Sequence, residues 1–217
     1  MKKIGVVLSG CGVRDGSEIH EAVCALLAID QAGAEAVCMA PDIELNEINH
    51  CTMEPTGAQR KVLVESARIA RGNIKDIASV AAADLDAVVF PGGFGAALNL
   101  CDFAQKGAAA AVNPQVSRLV KEMHAAKKPI GAICIAPALI AAILGKEVGP
   151  TLTIGTDPAT AAEVEKTGAR HQNCPPTDCV IDQANKLVTT PAYMLAGRIS
   201  EIYEGIGTCV KKVVEMA

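Results

Sequence analysis

The sequence predicts an α/β fold built on a mostly parallel sheet, and three observations carry that expectation. Short runs rich in Val and Ile alternate with longer segments at helical spacing, the pattern of βα units. The strand-like runs lack the in-out alternation of a half-exposed sheet, as burial on both faces requires. Half of the 217 residues are hydrophobic (50%), enough to bury a full core, and the length favours one domain over residues 1–217.

The elements follow in order. Lys3–Leu8 reads as the first strand; its apolar part, Ile4–Leu8, is too short for a secretory core of roughly 7–15 residues. A helix is expected over Ser17–Ala32, with Ser17 as N-cap, Glu21 in its early turns and Gly33 beyond its end. Ala36–Ala40 reads as the second strand, Pro41–Thr56 as a long surface loop, and Ala58–Ala70 as a helix closed near Gly72. Ala87–Phe90 is a buried strand, and Asn113-Pro114 opens a helix reaching Ala126. Pro129–Ile133 gives another strand, followed by a helix over Pro137–Leu144. Together they form the most apolar segment, yet it contains Gly131 and Pro137 and falls short of the roughly 18 residues that a membrane span needs. Thr151–Ile154 is a weaker strand and Ala159–Lys166 a helix ending before Gly168. Cys179–Ile181 and Leu187–Thr189 flank a hairpin turn at Asp182–Lys186, and Met194–Val214 is the last helix.

Charge narrows the function. The net charge of −4 comes from 24 acidic and 20 basic residues without long runs of one sign, which disfavours nucleic acid and membrane as partners. Tyr193, Tyr203 and three Phe leave few platforms for stacking on bases. Nine cysteines, an odd number scattered through apolar runs, fit a reducing compartment and a cytoplasmic protein better than a disulfide framework.

Cys134 lies between the apolar strand and the helix that follows, in Gly131–Ile140 (GAICIAPALI). A strand-to-helix turn at the carboxyl end of a parallel sheet exposes its residue at a helix N-terminus, where unpaired N–H groups favour a nucleophilic thiolate. The plainer alternative is a buried packing cysteine. The strand Ala87–Phe90 ends in Pro91-Gly92-Gly93-Phe94-Gly95, and glycines there let backbone N–H groups approach a ligand; Gly93 and Ile135 can supply an oxyanion hole, where an ordinary glycine turn is the alternative. Glu21 can point into the crevice as a proton carrier with a raised pKa, or face solvent.

Other motifs are weaker. Gly10, Gly12 and Gly16 follow the first strand as G-x-G-x-x-x-G, one residue longer than the dinucleotide fingerprint. His171 is the one histidine after Cys134, with Gln172 and Asn173 rather than a carboxylate beside it, which argues against a Cys-His-Glu triad. His171, Cys174 and Cys179 offer three zinc-type ligands at irregular spacing with no obvious fourth, so no metal and no cofactor is expected.

Read together, KKIGVVLSGCGVRDGSEIHEA, VVFPGGFGAA, CIAPA and LTIGTD with VTTPAYMLA resemble the ElbB family, isoprenoid biosynthesis proteins with an amidotransferase-like domain, within the ThiJ/PfpI superfamily. The resemblance spans nearly the whole chain. It implies a flavodoxin-like three-layer sandwich of the class I glutamine amidotransferase type, a homodimer, and a cofactor-free glyoxalase activity on small dicarbonyls. By position it places the elbow cysteine on Cys134, its acidic partner on Glu21 and the oxyanion donors on Gly93 and Ile135. It departs from better-known superfamily members in carrying Asp157 where they place a histidine.

The expected activity is a weak, glutathione-independent glyoxalase-type lyase converting glyoxal to glycolate through a Cys134 hemithioacetal. Two other readings stand beside it: a redox-sensing or partner-binding scaffold whose low-pKa cysteine oxidises reversibly, and a protein or metabolite deglycase. Cys11, in the loop after the first strand, is a candidate resolving thiol if the fold brings it to Cys134.

Overall fold

A computed structural model describes all residues, Met1–Ala217. Seven strands form the central sheet: β1 (Lys3–Val7), β2 (Glu35–Ala40), β5 (Lys75–Asp76), β6 (Ala87–Phe90), β7 (Ile130–Ile133), β10 (Val180–Asp182) and β11 (Leu187–Thr190). Their order across the sheet is β10-β11-β7-β6-β1-β2-β5, and every neighbouring pair is parallel except β10 with β11.

Side chains alternate between two hydrophobic clusters, one on each face. Along β6, Ala87 and Val89 enter one cluster, and Val88 and Phe90 the other. The first cluster joins the sheet to α1 (Ile19–Gln31), α2 (Val62–Ile69) and α8 (Ile199–Met216). The second joins it to α3 (Phe94–Leu98), α4 (Phe103–Lys106), α5 (Pro114–Ala125), α6 (Ala136–Val148) and α7 (Pro158–Lys166). This is the flavodoxin-like, amidotransferase-like three-layer sandwich expected from the sequence. The stripe on α8 shows the periodicity at work: Ile202, Ile206, Cys209, Val210 and Val213 are fully buried while Ser200, Glu204, Lys211 and Glu215 are exposed. Each such aliphatic side chain contributes about 1.5–3 kcal/mol through burial.

Several boundaries differ from the sequence expectation. The segment Pro41–Thr56 contains not a loop but most of a hairpin, β3 (Glu44–Asn49) with β4 (Glu54–Lys61), paired antiparallel. All eight residues of β4 are exposed, so no apolar alternation marked it. Ala58–Lys61 are composed like a helix, but cross-strand pairing and the Arg60–Glu47 ion pair override that local preference, and α2 starts only at Val62. The last helix begins at Ile199, after a single 3₁₀ turn at Ala192–Met194. A short parallel pair, β8 (Thr151–Leu152) with β9 (Arg170–His171), lies outside the main sheet.

Ser17 does not cap α1. Its hydroxyl accepts the Ser9 N–H at 2.9 Å, and the cap is Glu18, whose Oε2 accepts the Glu21 N–H at 2.8 Å. Asn113 caps α5 as expected, its Oδ1 accepting the Gln115 N–H at 2.9 Å.

Candidate active site at the carboxyl end of the sheet

β7 ends at Ile133 and α6 begins at Ala136, so two residues make the turn. Cys134 holds it with φ of 62°, a left-handed conformation that costs a non-glycine residue about 1 kcal/mol or more. The Cys134 N–H donates to Thr190 O at 2.9 Å, tying the elbow to the end of β11. The side chain is 7% exposed.

Glu21, on the first turn of α1, is fully buried and meets Cys134 from the other side of the crevice. Its carboxylate accepts two backbone donors, Gly92 N–H at 3.0 Å on Oε2 and Tyr193 N–H at 3.2 Å on Oε1, and it engages the Cys134 thiol. Burial, and next the charge of Glu18, push its pKa up to about 8 against the pull of these donors. The N–H groups of Gly93 and Ile135 face Sγ and favour its thiolate, but burial and then the Glu21 charge outweigh them and hold the thiol well above its ordinary range. The helix N-terminus therefore does not yield the resting thiolate that the sequence alone suggests, because the elbow is dry and its neighbour is an acid.

Gly92 and Gly93 are dictated by close approach. A Cβ on Gly92 would stand 2.4 Å from Cys134 Cβ and 2.6 Å from Glu21 Oε2. Gly93 has φ of 93°, and its Cβ would meet Glu18 N at 2.3 Å. The Gly10–Gly16 loop answers this turn: Glu18 N–H donates to Gly92 O (3.0 Å), Phe94 N–H to Val13 O (2.8 Å) and Gly95 N–H to Gly16 O (2.9 Å). Its glycines serve backbone-to-backbone packing beside the elbow, not the phosphate cradle of a dinucleotide site.

Sequence reasoning missed three groups here. Tyr193 gives its N–H to Glu21 and lines the same cleft as Cys134. Its hydroxyl lies 2.8 Å from His20 Nδ1, and Glu18 Oε1 lies 3.9 Å from the same nitrogen. The His20–Tyr193 pair joins residues far apart in the chain; the signals available were that His20 directly precedes Glu21 and that Tyr193 stands in the VTTPAYMLA segment.

Other candidates lie elsewhere. Asp157 caps α7, its Oδ2 accepting the Thr160 N–H at 2.7 Å, and this bond holds its carboxyl below the usual range. His171 Nε2 accepts the Ile154 N–H at 3.2 Å, and Cys174 Sγ contacts Pro175 O, so both serve local contacts. Cys11 lines a separate polar pocket with Asp15, His50 and Glu65.

The cleft over Cys134 has a volume of about 710 Å³ and runs from the elbow between α4 and α7. Across residues 13–194 the sequence matches the signature of the DJ-1/PfpI family. The chain belongs to the DJ-1/PfpI family. Members of this family include glyoxalases, deglycases and proteases. Among DJ-1/PfpI relatives and neighbours, the chain is 46% identical to the ES1 protein homolog, mitochondrial, of Rattus norvegicus, over 99% of this chain and 84% of that protein. It is 45% identical to the human glutamine amidotransferase-like class 1 domain-containing protein 3, mitochondrial, over 99% and 83%. A crystal structure of an isoprenoid biosynthesis protein with amidotransferase-like domain from Ehrlichia chaffeensis superposes with a TM-score of 0.94 at 35% identity, covering 100% of this chain and 99% of that one. Drosophila melanogaster DJ-1beta, at 20% identity and a TM-score of 0.58, covering 100% and 95%, shares the DJ-1/PfpI fold. No helix is long and apolar enough to cross a membrane.

Proposed function

We propose that this chain is an ElbB-type, glutathione-independent glyoxalase that converts glyoxal or a similar small dicarbonyl to a 2-hydroxy acid. The observation that carries the reading is the contact of a buried acid, Glu21, with a left-handed elbow cysteine, Cys134, under the N–H groups of Gly93 and Ile135.

The thiol adds to the substrate aldehyde. An S–C bond forms, the thiol proton passes to ionised Glu21, and the alkoxide rests on the Gly93 and Ile135 N–H groups before it is protonated. Glu21, again a carboxylate, removes the C–H proton of the hemithioacetal carbon. The electron pair forms a C=C bond, and the neighbouring carbonyl oxygen takes a proton from the Tyr193 hydroxyl, which His20 resupplies. Returning a proton to the neighbouring carbon, as the hemithioacetal hydroxyl loses its own, gives the thioester of the 2-hydroxy acid. Water releases the acid and restores the thiol. One substrate carbon is oxidised as the other is reduced, so electrons balance without a redox cofactor.

The resting thiol weighs against the sensor reading, which rests on a low-pKa cysteine. Glyoxal consumption and glycolate formation by purified protein without glutathione or metal test the proposal. Cys134→Ser is expected to lose turnover almost entirely while remaining folded, and turnover equal to wild type would remove the mechanism.

We also infer a homodimer working in a reducing compartment, with the cytoplasm as the proposed location. The odd number of cysteines, scattered through apolar runs, supports the compartment. Ile19, Val23 and Leu27 form an exposed apolar row on α1 beside exposed Ile199 and Tyr203 of α8, which supports a face shared between copies.

A further inference from the structure

The cleft is far larger than its proposed smallest substrate. Glyoxal has no side chain, whereas cavities of about 300–1,000 Å³ enclose drug-sized molecules, and this one measures about 710 Å³. Its extra space has a definite chemistry. From Ile135 and Met194, which touch the hydrophobic clusters of both sheet faces, the lining continues along Phe94, Phe103, Ala104 and Ala159. Phe103 is buried, while Ala104 on α4 and Ala159 on α7 are exposed on the two walls.

The charged side chains bordering this space are already engaged. Lys106 Nζ is 2.5 Å from Asp102 Oδ2. Glu163 binds Lys166 at 2.6 Å and accepts the Ala108 N–H at 3.0 Å. Glu18 caps α1 near the elbow. The guanidinium of Arg14 stacks 4.4 Å from the Phe94 ring centre. Lys106 is the one cationic side chain lining the cleft and Asp102 holds it, while Arg14 lies outside the lining against the Phe94 ring, so no lining residue offers an unpaired positive charge to a substrate carboxylate or phosphate.

We propose that the preferred substrates are neutral α-oxoaldehydes carrying an apolar substituent, of aryl or medium-chain alkyl size, with the aldehyde at Cys134 and the substituent lying between α4 and α7. This rests on the glyoxalase reading given above and names its substrate class. Each substituent methylene buried in the cleft is expected to raise kcat/KM about fourfold until the space is filled.

Two measurements separate failure of this inference from failure of the glyoxalase reading. In the first, kcat/KM is compared for glyoxal, methylglyoxal, hexylglyoxal, phenylglyoxal and a carboxylate-terminated alkylglyoxal. Hexylglyoxal and phenylglyoxal are expected to exceed glyoxal by tenfold or more, and the carboxylate analogue to fall below hexylglyoxal. Ala104→Asp and Ala159→Asp, each adding a carboxylate to an exposed wall position, are expected to collapse the ratio of hexylglyoxal to glyoxal. A ratio near one in the wild-type protein, or a carboxylate analogue that is the best substrate, would overturn the proposal. The second measurement needs no turnover. Labelling of Cys134 by chloromethyl ketones with methyl, hexyl or carboxyhexyl tails is followed on the Cys134 peptide by mass spectrometry and normalised to each reagent's rate with free cysteine. Fastest labelling by the hexyl reagent supports the apolar class even if glyoxal proves not to be a substrate. Equal rates, or a faster carboxyhexyl reagent, overturn it.

Discussion

The Glu21 carboxyl, wholly buried beside Glu18, has its pKa moved from an ordinary 4.5 to about 8, so between those values the folded chain holds a proton that the unfolded chain has released. A group whose folded pKa is raised stabilises most below its unfolded value, and that contribution is lost as pH rises toward the folded value. The slope is about 1.4 kcal/mol per pH unit, so raising pH from 5 to 7.5 removes about 3 kcal/mol from this one group. Glu21→Gln abolishes the titration. Glutamine brings one acceptor oxygen and an amide NH₂ to a place where the Gly92 and Tyr193 N–H groups both donate, a constant penalty of about 1–3 kcal/mol that does not vary with pH. Urea unfolding of wild type and variant across this pH range isolates the term. His171, whose pKa burial lowers, and Asp182, held below its usual range, cancel in the difference between the two proteins. Wild type should be the more stable at pH 5 and lose ground to the variant steadily as pH rises. Parallel curves, or a wild type that gains on the variant with rising pH, would refute the placement of a protonated Glu21 in the folded state.

Three further outcomes follow from the same geometry. Because Glu21 must be ionised to accept the thiol proton, glyoxal turnover should rise about tenfold from pH 7 to 9, with its midpoint near 8; a profile already flat at pH 7 would contradict this. Gly92→Ala places a methyl group 2.4 Å from Cys134 Cβ, and should cost about 1–3 kcal/mol in chemical denaturation while lowering turnover at least tenfold; an active variant of full stability would show that the elbow and Glu21 are less tightly set. Tyr193→Phe and His20→Gln should each lower kcat about tenfold, with the double variant no worse than either single one, and leave the rate of Cys134 alkylation unchanged; additive losses or altered alkylation would place the pair in structural support instead.

What the sequence revealed and what it hid divide along physical lines. The buried strands β1, β6 and β7 announce themselves because both faces demand Val, Ile and Ala, and the elbow stands out because Cys134 interrupts such a run just before Pro137. The β3–β4 hairpin was hidden because exposure removes the apolar pattern, leaving Ala58–Lys61 with the composition of a helix. The residues alone left Glu21 facing either the crevice or solvent, since whether a helix residue faces in or out depends on how α1 sits against the sheet, and the family resemblance was what placed it beside Cys134. The His20–Tyr193 pair is tertiary in origin, and its two members offer no spacing that a linear reading can measure. The protonation of Cys134 was misjudged for a related reason: a helix N-terminus is visible in a sequence, but the depth of burial and the neighbouring acid that overcome it are not.

The glycine turn at residues 92–95 and the loop at 10–16 meet main chain to main chain, with no room for a side chain at Gly16, Gly92, Gly93 or Gly95. The floor of the cleft is thereby closed to variation, because almost any replacement there would displace Cys134, Glu21 or the start of α1. Ala104 and Ala159 at the rim carry no such restriction. Descendants of this scaffold can acquire new substrates by changing what stands at the mouth, while the pair that would perform the chemistry is passed on unaltered.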